Sequence, residues 1–363
     1  MTKRGQGSCE FPSAVRMEPV WSVTLNPLHK NENMIEKTEI SKNEQQCIEA
    51  RKCWFITGAT AGGKTAVSLA LAKKLEAEII SLDSMAIYRG MDIGTAKPSQ
   101  EIRSLVPHHL IDIRDPNQTC SVSEYREAAM EKVAEIHARG KKVLFVGGTA
   151  LYLKALLRGM FDGPPADWEF RKQIEAEVEN VGNQALHERL SAVDPVSAHR
   201  LHVNDRRRVI RALEVHKLTG KPISHWQMQF ADGVEADKCK VFSIRHPRPI
   251  LHERIESRVD QMFEAGLIDE VRGLLDRWKD LSHTASQAVG YREVIEHLQG
   301  ERDFAETREK VRVRTRKFAR HQETWFRGLS EVRMVDIVPN PDANESSNAE
   351  QLAQRIFDEG HAS

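Results

Sequence analysis

"GATAGGKT", residues 58–65, decides how this chain is read. It fits the pattern G-x-x-x-x-G-K-[ST], a loop whose glycines let successive backbone N–H groups turn inward on phosphate oxygens. The apolar run Cys53-Trp54-Phe55-Ile56-Thr57 precedes it and the helix-like "AVSLALAKKL" follows it, so the loop stands between a buried strand and a helix. The helix N-terminus adds partial positive charge. Lys64 supplies a full charge and Thr65 a hydroxyl suited to a magnesium ion. Gly58, Ala59, Thr60, Ala61, Gly62, Gly63, Lys64 and Thr65 together read as a diphosphate cradle. The competing reading, a chance match in a turn, is disfavoured by the strand and helix on either side.

Working outward, "AEIISL" predicts a second strand ending at Asp83-Ser84, and "RSLVPHHLIDI" holds a further short one. "SEYREAAMEKVAEIHARG" predicts a helix closed by Gly140, followed by the strand "KVLFV" and the turn Gly147-Gly148-Thr149. Strands alternating with helices imply an α/β fold, a parallel sheet with helices on both faces. The pattern changes at "GPPAD" (163–167), after which residues 168–230 look entirely helical. "KVFSIR" (240–245) returns to the sheet, and helices follow around 249–280, 286–299 and 303–328. Past Gly328 a short strand and a weak terminal helix are expected. The resulting division is a disordered polar extension over 1–50, within which Met34 is a second candidate start, and a P-loop core over 51–162. A helical insertion over 163–232, the rest of the core over 233–330 and a C-terminal tail over 331–363 complete it.

Composition restricts the function classes. The 363 residues are 40% hydrophobic and 29% charged, as in soluble globular chains. No apolar run approaches the roughly 18 residues of a membrane span. Lys plus Arg and Asp plus Glu are equal at 53 each, so a nucleic-acid surface must come from local clustering. Cys9, Cys47, Cys53, Cys120 and Cys239 are scattered without a C-x-x-C pair. Neither a zinc site nor a disulfide framework is indicated, and a reducing cytosol fits best. His108-His109, beside an apolar strand, read as structural.

A nucleotide triphosphatase also needs an acidic group for magnesium, usually an Asp ending an apolar strand. "KVLFV" ends instead in Gly147-Gly148-Thr149. The acidic strand end is Asp83, which either faces the carboxyl edge of the sheet, where such folds bind ligands, or caps the segment after it. The loop indicates a diphosphate and not hydrolysis. Arg312, Arg316 and Arg320 recur at i, i+4, i+8 on one helix face, with Trp325 and Arg327 beyond, and Arg207, Arg208 and Arg211 form a second basic cluster. Two such clusters in a chain of zero net charge point toward phosphate-backbone binding rather than solvated faces. Tyr291 and Trp325 are candidates for stacking on bases or for core positions.

"LDSMAIYRGMDIGTAKP" (82–98), with "GATAGGKT", "HHLIDIRDP", "VGGTALYLKALLRG", "NDRRRVIRALEV", "AVGYRE" and "HQETWFRG", closely resembles the tRNA dimethylallyltransferases, or tRNA isopentenyltransferases, in order from about residue 53 to 328. The resemblance implies transfer of a five-carbon prenyl group from dimethylallyl diphosphate to N6 of the adenine 3′ of the anticodon, in tRNAs reading codons that begin with U. It implies a P-loop core with a helical insertion and tRNA held between them by its anticodon stem-loop; a cytoplasmic monomer is expected from the cysteine usage and the lack of an obvious dimerisation element. On that basis Lys64 and Thr65 match the diphosphate and Mg2+ ligands and Asp83 the general base. Thr149 matches a residue near the target nucleotide, and Arg258 matches an arginine on the diphosphate. Asp83, Ser84, Met85 and Ala86, Arg171, Arg207, Arg208 and Arg211 fall on tRNA-contacting stretches. So do Gly290, Tyr291 and Arg292, and Arg320, Gln322, Trp325 and Arg327. The family's G-P-T-A-S-G-K-[ST] here has Ala59 for Pro and Gly62 for Ser, and Lys317, Arg320 and His321 vary its last basic motif.

Three other readings stand beside this one. A P-loop nucleotide kinase would bind ATP and have no use for the basic stretches. An adenylate isopentenyltransferase would prenylate AMP, ADP or ATP, but the helical insertion and basic helix favour a macromolecular acceptor. A non-catalytic nucleic-acid-binding protein leaves Lys64, Asp83 and Thr149 without a joint purpose.

Overall fold

Strand β1 (Trp54–Gly58) is buried along its whole length, and alternate side chains leave it toward opposite faces of a sheet. The computed structural model describes residues 41–161, 163–227, 233–337 and 344–362. Around β1 are β2 (Ala77–Ser81), β3 (His108–His109), β4 (Lys142–Val146), β5 (Lys240–Arg245) and β6 (Val332–Asp336). The six strands are all parallel, in the order β3-β2-β4-β1-β5-β6. The α/β class and parallel sheet expected from the sequence are therefore present.

On one face Trp54, Ile56, Leu144 and Phe242 pack against Val67 and Leu71 of α2 (Lys64–Leu75) and Leu352, Ala353 and Ile356 of α15 (Glu345–His361). The predicted C-terminal tail is thus part of the core. Its terminal helix is not weak, because Ala353 and Ile356 are fully buried. On the other face Phe55, Ile80 and Phe145 meet Tyr125 and Val133 of α4 (Val122–Ala138) and Leu153 and Leu156 of α5 (Ala150–Arg158). Phe326 of α14 (Phe304–Arg327) closes that layer.

The disordered extension expected over 1–50 ends earlier than the sequence suggested. Lys42–Lys52 forms α1, capped by Ser41 and burying Cys47 and Ala50. Arg51 donates to the Leu157 carbonyl at 2.9 Å, and Arg126 donates to that of Asn43 at 3.0 Å. With only those two small residues on its buried face, α1 has no apolar stripe for a sequence pattern to reveal. Residues 1–40, including Met34, lie outside the described residues.

The helical insertion has a core of its own. Phe170, Ile174 and Leu190 of α6 (Trp168–Val193) pack on Val209, Ile210 and Leu213 of α8 (Arg206–Thr219), with α7 (Pro195–Arg200) and α9 (Ile223–Gln227) beside them. Gly182, at φ 82°, breaks α6 where the sequence divides "WEFRKQIEAEVENVG" from "NQALHERL". Residues 228–230 of the stretch read as helical lie outside the described residues. α10 (Arg248–Glu264), α11 (Leu267–Trp278), α12 (His283–Ser286) and α13 (Tyr291–Leu298) lead from β5 to α14. Ala59 and Ala61 of the loop pack against Leu251, Ile255 and Val259 of α10 and Val311 of α14.

Candidate active site

The loop over 58–65 leaves the carboxyl end of β1, and its first glycine is fixed by the neighbouring strand. A Cβ at Gly58, where φ is +135°, would lie 2.5 Å from the Ile244 carbonyl oxygen of β5. The Lys64 ammonium folds back on the loop, donating to the carbonyls of Gly58 at 3.0 Å and Ala59 at 2.7 Å. Desolvation, followed by the Arg258 guanidinium, brings its pKa down to about 8, against the opposing pull of Asp83. Thr65 begins α2 beside it. Arg258 of α10 donates to the Thr60 hydroxyl at 3.3 Å, and burial lowers its pKa from the usual arginine value. Arg258, expected on the diphosphate, thus stands at the loop over 58–65.

Asp83 follows β2 and uses Oδ1 to accept from the N–H groups of Met85 at 2.8 Å and Ala86 at 3.3 Å. Both readings of this residue therefore hold, since it caps the following turn and also lines the cavity over the loop. Thr149, after β4, accepts from the Ser84 N–H at 3.0 Å, while its own N–H donates to the Leu82 carbonyl at 3.1 Å. The ends of β2 and β4 are stitched together at the point where the acid stands. The cavity encloses about 470 Å3 and brings together Lys64, Thr65, Asp83, Thr149, Arg207 and Arg258.

One wall of this cavity is the "GTAKP" segment, and sequence reasoning missed what holds it. Glu270 of α11 accepts from the N–H groups of Asp92, Ile93 and Gly94 at 3.0, 2.8 and 3.4 Å, and from the Tyr291 hydroxyl at 2.6 Å. Lys97, its side chain 1% exposed, donates to Tyr88 O, Asp92 and Asp112. No local pattern marks Glu270, because the backbone N–H groups it holds lie about 177 residues away in sequence. Arg254 was missed as well. Its Nε donates to the Ala61 carbonyl at 2.8 Å, and its guanidinium pairs with Glu345 of α15 at 2.7 Å.

Several expected tRNA contacts are placed otherwise. Tyr291 is fully buried against Gly94 and spends its hydroxyl on Glu270, so it cannot stack on a base. Gly290 is buried, and its N–H donates to Glu293, which also pairs with Arg314. Ala86 is buried too, leaving Asp83, Ser84 and Met85 half-exposed on that turn. Arg171 and Arg211 both bind the fully buried Glu214, Arg171 through two 2.8 Å bonds. Burial alone would raise the Glu214 pKa, but these guanidiniums outweigh it and hold the carboxyl low. Arg312 pairs with Asp260, and Arg316 with Glu256 and Glu309, so the i, i+4, i+8 stripe is largely neutralised by its own chain. Gln322 is buried.

The exposed remainder is Arg207, Arg208, Arg292, Arg320, Trp325 and Arg327. Arg208 pairs with Asp205 and Arg292 with Glu296 on their own helices. His108 and His109 are structural as expected, held by the Val106 carbonyl and by Glu78. Among the described residues no group of three His, Cys, Asp or Glu could hold a metal ion, and no helix is long and apolar enough to cross a membrane.

Comparison with known proteins identifies relatives of this chain along most of its length. The family model for IPP transferase matches residues 86–329. A tRNA dimethylallyltransferase of Rhodopirellula baltica is 50% identical over 287 residues, 77% of this chain and 86% of that protein. One of Geobacter metallireducens is 45% identical over 290 residues, 79% of this chain and 93% of its own length. Among solved structures, the full-length tRNA isopentenylpyrophosphate transferase of Bacillus halodurans aligns with TM-score 0.61 and 39% identity, covering 86% of this chain and 97% of that one. A eukaryotic dimethylallyltransferase captured acting on tRNA aligns with TM-score 0.68 and 26% identity over 85% of this chain and 79% of that one.

Proposed function

The chain belongs to the IPP transferase family of tRNA dimethylallyltransferases, and from that premise we propose how its cavity carries out the reaction. The enzyme transfers the dimethylallyl group of dimethylallyl diphosphate to N6 of the adenine 3′ of the anticodon, in tRNAs reading codons that begin with U. The observation that carries this reading is the convergence of Lys64, Thr65 and Arg258 with Asp83 and Thr149 on one cavity.

In the step itself the adenine N6 lone pair attacks C1 of the allyl group. The C1–O bond breaks, the electron pair leaves with the diphosphate, and the N6 proton passes to Asp83. The loop amides, Lys64 and Arg258 stabilise the charge that builds on the leaving group. The allylic electrophile must be kept from water, so the adenine reaches the cavity flipped out of its stack. The Thr65 hydroxyl would hold a magnesium ion, which when bound would supply charge neutralisation at the diphosphate. Exposed Arg207, Arg320, Trp325 and Arg327 suit contact with the anticodon stem-loop. A cytoplasmic monomer completes the reading, the oligomeric state being open to light scattering.

The test offers radiolabelled dimethylallyl diphosphate with total tRNA, AMP and ATP as separate acceptors. Label is expected in tRNA alone. Label confined to free nucleotide would reject the tRNA reading in favour of nucleotide prenylation.

A further inference from the structure

Gln322 sits on α14 between exposed Arg320 and Trp325, yet its side chain turns inward and is only 6% exposed. Its Oε1 accepts from the Thr60 N–H at 2.8 Å, and its Nε2 donates to the Gly148 carbonyl at 2.9 Å. A backbone donor on one side and a backbone acceptor on the other admit one orientation of the amide, and a group lacking either function satisfies only half the site. Gly148 has to be glycine for the amide to enter, because a Cβ there would lie 2.2 Å from Nε2.

The two segments joined belong to opposite sides of the chemistry. Thr60 stands inside the diphosphate loop and takes a hydrogen bond from Arg258 through its hydroxyl. Gly148 immediately precedes Thr149, which is bonded to Ser84 next to Asp83. Beyond the β1–β4 pairing, which ends where the Gly147 N–H donates to the Ile56 carbonyl at 3.1 Å, the Gln322 amide is a side-chain bridge from the cradle to the Asp83–Thr149 edge.

We propose that Gln322 is a positioning residue for prenyl transfer, clamping the diphosphate loop to the Gly148-Thr149 turn, rather than a tRNA contact. The proposal rests on reading residues 58–65 as the diphosphate site. Removing the amide leaves the part-buried Thr60 N–H and the buried Gly148 carbonyl without this partner, and the loop and the turn lose their side-chain tie. Because α14 also carries the exposed arginines, the clamp links the helix expected to face tRNA with the loop expected to hold the donor.

The test uses the full chain with three substitutions. Gln322→Met keeps the volume and loses both hydrogen bonds. Gln322→Glu keeps the shape and the acceptor but loses the donor. Gly148→Ala pushes the amide out while leaving it in the sequence. Pyrophosphate affinity by calorimetry is expected to fall about tenfold in each, with transfer at saturating substrates down about 10- to 100-fold. Affinity for an anticodon stem-loop should stay within twofold, and the double variant of Gly148→Ala with Gln322→Met should be little worse than either alone.

The inference is overturned if folded Gln322→Met binds pyrophosphate and transfers prenyl groups within twofold of wild type. It is equally overturned if weaker stem-loop binding is the only defect. Should Gln322→Met not fold, Gln322→Glu and Gly148→Ala decide the question by the same criteria. The pyrophosphate readout needs no tRNA, so it stands apart from the acceptor assay, in which wild-type protein alone tests the proposed function.

Discussion

Lys64 is poised to titrate in an ordinary assay, because desolvation and Arg258 bring its pKa to about 8 in the free protein. A bound diphosphate restores the charge, so binding takes up a proton wherever the free side chain has lost one. Donor affinity is therefore expected to be insensitive to this group below pH 8 and to fall above it, by at most about tenfold per pH unit. Calorimetry with dimethylallyl diphosphate at pH 7 and pH 9 reads the slope. Lys64→Arg, permanently charged, should bind more weakly at pH 7 but lack that slope, which separates the side chain from titration of the ligand. The stability of the free protein carries the opposite sign. Between pH 8 and the ordinary lysine value the unfolded chain binds the extra proton, so the contribution of Lys64 to stability rises with pH across that window.

The two functions of Asp83 can be separated as well. Asparagine keeps an oxygen for the Met85 and Ala86 N–H groups but cannot take the amine proton. Asp83→Asn should lower kcat by about 10²- to 10⁴-fold with little change in melting temperature or stem-loop affinity. Asp83→Ala should in addition lose about 1 kcal/mol of stability with the cap. Activity of Asp83→Asn near wild type would reject Asp83 as the base. In sequence this residue was legible as an acid ending an apolar strand, although the cap and the cavity competed for it. The fold gives it both.

α14 shows how a helix divides its charged residues. The periodicity of Arg312, Arg316 and Arg320 is real, but α10 lies along the first two and supplies Asp260 and Glu256. Only beyond that crossing do Arg320, Trp325 and Arg327 stand exposed. Removal of Arg320 or Arg327 should weaken stem-loop binding and reduce the slope of log K against log salt by about 0.7 to 1 each. Arg312→Ala and Arg316→Ala should leave that slope unchanged and act through the α10–α14 packing. Filter binding across a salt series distinguishes the two sets. The "AVGYRE" motif divides in the same way, because Tyr291 and Glu293 hold the wall of the cavity through Glu270 and Arg314 while Arg292 stays outside.

In the molecule as a whole, the C-terminal segment is the largest departure from expectation. α15 covers the face of β1 and α2 that would otherwise leave Trp54 and Leu71 exposed. Ile356→Ala is expected to cost about 2–5 kcal/mol, as for a fully buried aliphatic side chain, and to lower the urea midpoint without splitting the transition. A second, separate transition at low denaturant would show instead that the helix is a peripheral addition. The helical insertion, with a core built from its own α6 and α8, was visible in sequence because the alternation of strands and helices stops at Pro164-Pro165 and resumes at Lys240.

Local chemistry made the strand–loop–helix around "GATAGGKT", the parallel α/β class and the candidacy of Lys64, Thr65 and Asp83, which line one cavity, readable from the chain alone. Glycine spacing, apolar periodicity and an acid at a strand end are properties of adjacent residues, and they survive any tertiary arrangement. Which arginines remain available to a polyanion could not be read that way, nor could the roles of Gln322, Glu270 and Arg254. Tyr291 apart, which is 21 residues from Glu270, their partners lie 91 to 262 residues away, and only packing decides whether a charged or amide side chain meets solvent, a ligand or the protein itself. The phosphate loop thus follows from sequence, while the side-chain clamp between it and the Gly148-Thr149 turn belongs to the fold.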